Sequence, residues 1–194
     1  MHKIEKEDIY KVNKALEIIK DVNKKISEFD VAKYTEVDII KFIDLITNQY
    51  FDSHGANIKI NTEGIKKNTL ILLDRDKIDT IVNNLIINAI EYMKHNNIEL
   101  IINVSIIFKK SYFLFIKKES ICFIVGNEGI IITSIGKKIF ENGFSTKQTQ
   151  TSNYNSGIGL YHSKKLAKKM KGTLTHISIN NQVTFYLNVP LMKK

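Results

Sequence analysis

In the stretch from Ile78 to Met93 two stripes run side by side at helical spacing. Ile78, Val82, Leu85, Ala89 and Met93 are apolar and must face a core. Beside them Asn84, Asn88 and Tyr92, each four apart, stack along a neighbouring face, with Glu91 and His95 on its outer side. Asn is a poor helix former, and a buried amide without a partner is costly. Two of them on adjacent turns, at the border of an apolar face, therefore need something to bond. Two answers fit these residues taken alone: a ligand, or backbone and water in a solvated groove.

Other residues of chemical interest lie further along. Val125-Gly126-Asn127-Glu128-Gly129 ends an apolar run with a polar, glycine-containing turn, where the missing side chain lets a ligand approach the backbone. Gly157-Ile158-Gly159 opens a predicted helix, and exposed N–H groups at a helix start attract phosphate. Between them lies a run with almost nothing to bury, from Ser145 to Ser156, which carries the lone cation Lys147. Either glycine motif also has a plain steric reading. The single cysteine, Cys122, sits inside Ile121-Cys122-Phe123-Ile124-Val125 and is expected to be a core thiol rather than a nucleophile or a metal ligand.

The elements that must position these groups follow from patterning. With 194 residues, 43% of them hydrophobic, the chain can bury a substantial core as one domain plus an appendage. Apolar runs are short and interrupted by Asn, Lys or Glu, so no membrane segment is expected, and the charged start does not resemble a signal peptide. A cytoplasmic location fits, including the cytoplasmic part of a membrane-bound sensor. The net charge of +9 comes from scattered lysines, with Arg75 the sole arginine, so no nucleic-acid partner is expected.

Val12, Ala15, Ile19, Val22, Ile26 and Phe29 alternate three and four apart, which is a heptad seam. This predicts a dimerising helix in preference to an amphipathic helix folded on its own domain. Periodicity breaks near residue 30, giving a boundary between residues 1–30 and 31–194. A helical run over 37–46 follows, then strands at 58–60 and 69–73. A long helix capped by Asp74 or Asp76 is expected to run to about His95. Next come strands at 98–109 and 112–126 joined through Lys109-Lys110-Ser111, and a short helix ending near Glu141. A helix from about Gly157 to Lys171, stopped by Gly172, precedes closing strands at 173–179 and 182–189. The expected class is α+β, a two-layer sandwich with helices on one face of a mixed sheet and an N-terminal helix.

In this order and spacing the motifs resemble the ATP-binding domain of sensor histidine kinases, within the superfamily shared with DNA gyrase, Hsp90 and MutL, the Bergerat fold. Asn84-Leu85-Ile86-Ile87-Asn88-Ala89 is similar to its N box and Asn127-Glu128-Gly129 to its first glycine box. The stretch from Ile139 to Lys147 is similar to the F box, and Gly157-Ile158-Gly159-Leu160-Tyr161 to the second glycine box. Gly172-Thr173-Leu174, Val183-Thr184-Phe185 and Val189-Pro190-Leu191 match the closing strands, with the sole proline where the family usually has one. The resemblance spans roughly residues 36–192.

It implies ATP and Mg²⁺ as cofactors. Asn88 would hold the metal, Asn84 would orient water or metal beside it, and Tyr92 would lie against adenine or ribose. Lys147 would meet the terminal phosphates, with Asn84, Asn88 and Lys147 as the catalytic set. Asn127, Gly129, Phe140, Phe144, Ser145, Thr146, Gly157, Ile158, Gly159 and Leu160 complete the implied ATP site. The polar run 145–156 would be the lid. Residues 1–30 would be the second helix of a dimerising hairpin, making a homodimer in the full protein, with a response-regulator receiver domain as partner.

Four departures from the pattern stand out. Asn127 occupies the place of the adenine-binding Asp, which implies weaker or altered nucleotide affinity that Asn127→Asp should raise. Ile131 replaces the second glycine of that box, and Glu91 occupies a position where many relatives are basic, which shifts phosphate neutralisation onto Lys147. None of His2, His54, His95, His162 or His176 has the setting of a phosphoacceptor. The implied function is the catalytic module of a sensor kinase that phosphorylates a histidine of the full-length protein. The rivals are a degenerate nucleotide-binding or dimerising module and an ATP-driven clamp of the gyrase or MutL kind.

Overall fold

Alternation along the closing strands shows how the sheet forms. In Gln182–Pro190 every second residue is apolar, and Val183, Phe185, Leu187 and Val189 are the buried ones. A computed structural model describes residues 32–113, 116–131, 135–136, 138–144 and 157–192. The heptad seam of residues 12–29, and with it the expected N-terminal helix, lies outside the described residues. The chain divides into two units, Met1–Ala32 and Lys33–Lys194, and the secondary structure among the described residues belongs to the second.

In order, its elements are β1 (Thr35–Asp38), α1 (Ile39–His54), β2 (Asn57–Asn61), β3 (Leu70–Leu73), α2 (Arg75–His95), β4 (Ile101–Phe113) and β5 (Ile116–Glu128). A 3₁₀ turn (Lys138–Phe140), α3 (Gly159–Lys169), β6 (Thr173–Ile179) and β7 (Gln182–Pro190) follow. A five-stranded sheet has the order β2-β4-β5-β7-β6, and β1 pairs with β3 in a separate two-stranded sheet. Only β2 against β4 is parallel; β4–β5, β5–β7 and β6–β7 are antiparallel, so the main sheet is mixed.

Register puts Val104, Val125 and Phe185 in one row and Ile106, Phe123 and Leu187 in the next. All of these side chains are buried. Helix α2 packs on β5, α3 on β6 and β7, and α1 on β2. The apolar stripe of α2 is buried in full, from Ile78 through Val82, Leu85 and Ala89 to Met93. Each large aliphatic side chain there contributes about 1.5–3 kcal/mol by leaving water, so α2 is held by its core face rather than by its Asn-rich composition. The α+β sandwich expected from the sequence is the observed fold.

Asp74 caps α2, as one of the two candidate residues, by accepting from Lys77 N at 3.2 Å. Its other oxygen accepts from Lys77 Nζ at 2.7 Å and from Lys33 N at 2.9 Å. Both side chains of the Lys77–Asp74 ion pair are only 2% exposed, which ties the start of the unit to the start of α2.

Four boundaries differ from expectation. Residues 37–46 read as one helical run, but Thr35–Asp38 pairs with Leu70–Leu73, and the ladder bonds outweigh local helical patterning. Helix α1 therefore begins at Ile39, with Asp38 accepting from Lys41 N at 3.3 Å. Lys109-Lys110-Ser111 is not a turn; Lys109 pairs with Ser120, and the β4–β5 hairpin extends further. Its lysines lie in the exposed part of the strand, where a polar ladder costs little. Helix α3 starts at Gly159 rather than Gly157, because Gly157 has φ +64, outside the helical range. At its end Lys171, with φ +56, takes the left-handed position, while Gly172 is needed because a Cβ there would collide with the Asn188 carbonyl.

Candidate functional site

The polar stripe of α2 lies where its spacing put it: Asn84, Asn88 and Tyr92 are all half-buried beside the fully buried stripe. Asn84 faces the start of α3. Its Nδ2 donates to Ser163 Oγ at 3.1 Å and to Gly159 O at 3.4 Å. The first amide of the stripe is thus bonded to protein. The second is different: Asn88 hydrogen-bonds to no protein group among the described residues, although half-buried. A carboxamide at such a border, next to the core, leaves its oxygen available to a partner outside the described residues.

One turn further on, Tyr92 closes the end of the stripe against the β5 exit. Its hydroxyl accepts from Ile130 N at 3.3 Å. A Cβ on Gly129 would meet the Tyr92 ring at 2.8 Å, so Gly129 is glycine because this ring packs against its backbone. On the side where a Cβ would stand, the space at Gly129 is taken by this ring. Asn127 is 5% exposed and its Nδ2 donates to Glu128 O at 2.6 Å. The amide is therefore oriented with its oxygen free of described donors, and an acceptor is presented where a neutral amide can serve. Gly129 N donates to Asn181 O at 2.9 Å and Ile131 N to Ser178 Oγ at 3.0 Å, so the loop is fastened to β6 and its turn.

The ends of the polar run meet. A Cβ on Gly157 would fall 2.6 Å from Gly143 C and 2.7 Å from Phe144 O, so the two backbones are in direct contact. Gly143, with φ +75, and Gly157, with φ +64, both need glycine's left-handed freedom. Ser145, Thr146 and Lys147 lie outside the described residues, as does the rest of the expected lid. Ile158 is exposed, and Leu160 and Phe144 are half-buried at its base.

Phe140 is buried. It is 8% exposed, with its ring 5.8 Å from His176 and edge-on to Phe185 at 6.4 Å. Lys164 Nζ stands 4.5 Å over the same ring. Phe140 thus anchors one end of the run in the core. Burial, and secondarily the nearby Lys164 charge, holds the His176 imidazole below its ordinary pKa.

Sequence reasoning missed Ser163 and His176. Ser163 had a visible signal: it occupies a buried-stripe position with Leu166, Ala167 and Met170 in a helix otherwise rich in lysine. A hydroxyl there must find a partner. His176 had none beyond its place on the inner side of a closing strand.

Three features occur together: a mixed sheet under helices, an amide-bearing helix facing a glycine-opened one, and a long polar run clasped at its ends. They define an ATP-binding domain of the kind shared by histidine kinases, gyrases and Hsp90 proteins. Residues 73–193 match the family model described as histidine kinase-, DNA gyrase B- and HSP90-like ATPase, and the chain belongs to that family. The fold resembles the nucleotide-free catalytic domain of histidine kinase ThkA, with TM-score 0.61 and 21% identity over 81% of this chain and 95% of that one. Histidine kinase AdeS from Acinetobacter baumannii is similar at TM-score 0.60 and 13% identity, covering 99% of this chain and 88% of that one. Full-length ShkA, solved with AMPPNP, aligns at TM-score 0.62 and 16% identity over 84% of this chain and 32% of that one. No curated protein sequence matches the chain. Among the described residues no helix is long and apolar enough to cross a membrane, and no group of His, Cys, Asp or Glu could hold a metal.

Proposed function

We propose that this chain is the ATP-binding catalytic module of a two-component sensor histidine kinase. It transfers the γ-phosphoryl group of Mg-ATP to a histidine of the full-length protein, for relay to the receiver domain of a response regulator. The observation that carries this reading is the pair of amides on α2: Asn84 braced against the glycine-opened helix α3, and Asn88 half-buried with no protein partner among the described residues. The family of the chain binds ATP, and the fold resembles catalytic domains of histidine kinases.

The donor set fits Mg²⁺, which takes oxygen ligands and keeps several waters, using one or two protein groups together with phosphate oxygens. Asn88 would hold it through the carboxamide oxygen, with the Asn84 oxygen beside it. Bound there, the ion would neutralise charge on the phosphates. The protein's own part is positioning and exclusion of water. Tyr92 supplies a flat wall at the adenine end and Asn127 an amide oxygen for the base. Exposed N–H groups at the start of α3 receive phosphate. Lys147 meets the terminal phosphates as residues 145–156 fold over them. Residues 1–30 form the second helix of a dimerising hairpin.

The clamp reading is weaker for a specific reason. A gyrase-like base would be a glutamate at position 84, but the group there is an amide that donates to Ser163 Oγ and to Gly159 O, and the carbonyl, which can only accept, suits an amide donor where a carboxylate would be repelled. Calorimetry with a non-hydrolysable ATP analogue and Mg²⁺ tests the core of the proposal: saturable binding is expected, and no binding at millimolar nucleotide would refute it. Phosphoryl transfer to a histidine-bearing hairpin of the full-length protein, lost in Lys147→Ala, tests the kinase step. DNA-stimulated turnover would instead favour the clamp.

A further inference from the structure

Ser163 is fully buried in the lysine-rich helix α3, and its hydroxyl accepts the Asn84 amide at 3.1 Å. The second acceptor, Gly159 O, lies at 3.4 Å, the long end of hydrogen bonding. A carbonyl can only accept, so the atom of Asn84 that faces α3 is necessarily its nitrogen. The carboxamide is planar, with nitrogen and oxygen on opposite sides of Cγ, and turning one toward α3 turns the other away.

We propose that Ser163 is a positioning residue for the metal-nucleotide site: with Gly159 O selecting the nitrogen, the buried hydroxyl anchors that nitrogen against α3 and so keeps the Asn84 oxygen turned toward the side of α2 that bears Asn88. The inference rests on the ATP reading of that site. A hydroxyl can bond either end of a carboxamide, so it is Gly159 O that selects the nitrogen; without Ser163 that long bond alone holds the side chain against α3, and the Asn84 oxygen is free to leave the position that a cation would meet. The same bond links the N box on α2 to the glycine-opened helix α3. Residues 84 and 163 are 79 apart in sequence, and folding alone brings them together.

The test is a double-mutant cycle of wild type, Ser163→Ala, Asn84→Ala and the double variant. Each is titrated with a non-hydrolysable ATP analogue in Mg²⁺ and again in EDTA, with thermal melting as a control for folding. Loss of one hydrogen bond predicts that Ser163→Ala weakens binding in Mg²⁺ by roughly 2- to 12-fold, with little change in EDTA. In the Asn84→Ala background Ser163→Ala should change nothing further. Ser163→Cys, nearly isosteric and a far weaker acceptor, should give the same pattern if the alanine variant melts below the assay temperature.

Wild-type affinity in Ser163→Ala overturns the inference. So does a loss that persists undiminished without Asn84, the mark of a structural role alone, or an Asn84→Ala variant whose Mg²⁺ response equals wild type. A wild type that binds no nucleotide refutes the ATP reading along with it. Mg²⁺-dependent binding by wild type, with Ser163→Ala indifferent, refutes only the role of Ser163.

Discussion

Gly157 and Gly143 offer a matched pair for testing the proposal that residues 145–156 act as a lid held at its clasped ends. Both have left-handed backbones, so alanine at either costs roughly 1–2 kcal/mol of conformational strain. Their surroundings differ. A Cβ on Gly143 meets nothing within 4 Å, whereas on Gly157 it would lie 2.6 Å from Gly143 C, 2.7 Å from Phe144 O and 2.8 Å from Gly143 O. All three are backbone atoms that cannot swing aside. Forcing a methyl against such atoms adds about 1–3 kcal/mol, giving roughly 2–5 kcal/mol for Gly157→Ala against 1–2 for Gly143→Ala.

That cost can be relieved by parting the two strands of chain, so under the proposed function it divides between global stability and nucleotide binding. Urea unfolding of the nucleotide-free protein reads the first part, and the dissociation constant of a Mg-ATP analogue reads the second. Summed, the losses in Gly157→Ala should exceed those in Gly143→Ala by about 1–3 kcal/mol, a roughly 5- to 150-fold effect if all of it falls on binding. Nucleotide-dependent hydrogen-exchange protection of residues 145–156 should weaken in the same order. Agreement of the two variants within about 0.5 kcal/mol would show that the contact between the ends has no energetic role, and the clasp would be discarded.

Other substitutions probe the supports of the site. Asn127→Asp loses the donor to Glu128 O, at 2.6 Å, and sets a carboxylate in a 5% exposed position. Melting of the nucleotide-free variant should therefore reveal a loss of about 1–3 kcal/mol, while calorimetry should find tighter nucleotide binding if the residue faces adenine. Lys77→Met leaves the Asp74 carboxylate buried without the ammonium it holds at 2.7 Å, and denaturant titration should record a loss of about 3–5 kcal/mol; a loss under 1 kcal/mol would contradict the burial assigned to the pair. For His176 the folded pKa lies below the unfolded value, so the folded state binds fewer protons. Its contribution is intact above the unfolded pKa near 6.5 and is lost as pH falls through the folded pKa. Melting temperature should drop on acidification below that range and less so in His176→Phe; equal slopes would remove His176 as the cause.

Much of the architecture was written in local pattern. The period of α2, the alternation of β6 and β7 and the turn residues between them located these elements to within a residue or two, because each buries one face and periodicity records that face. The family was legible for a related reason: residue types at fixed spacing survive as text, and residues 73–193 match the ATPase family that the four motifs resemble. Pairing decided what periodicity could not. Thr35–Asp38 is a strand because Leu70–Leu73 lies beside it, and Lys109-Lys110-Ser111 belongs to the ladder because Glu119 and Ser120 sit opposite.

The sequence alone determined the α+β class, the amide stripe and the glycine-opened helix, all set by side-chain type and short-range spacing. Only the tertiary structure decided which group each of them meets. It set the Tyr92 ring into the space at Gly129, brought Gly157 against Gly143, buried Phe140 beside His176 and bonded the Asn84 amide to Ser163. These contacts join residues far apart in the chain, and their energies come from geometry that no local pattern encodes.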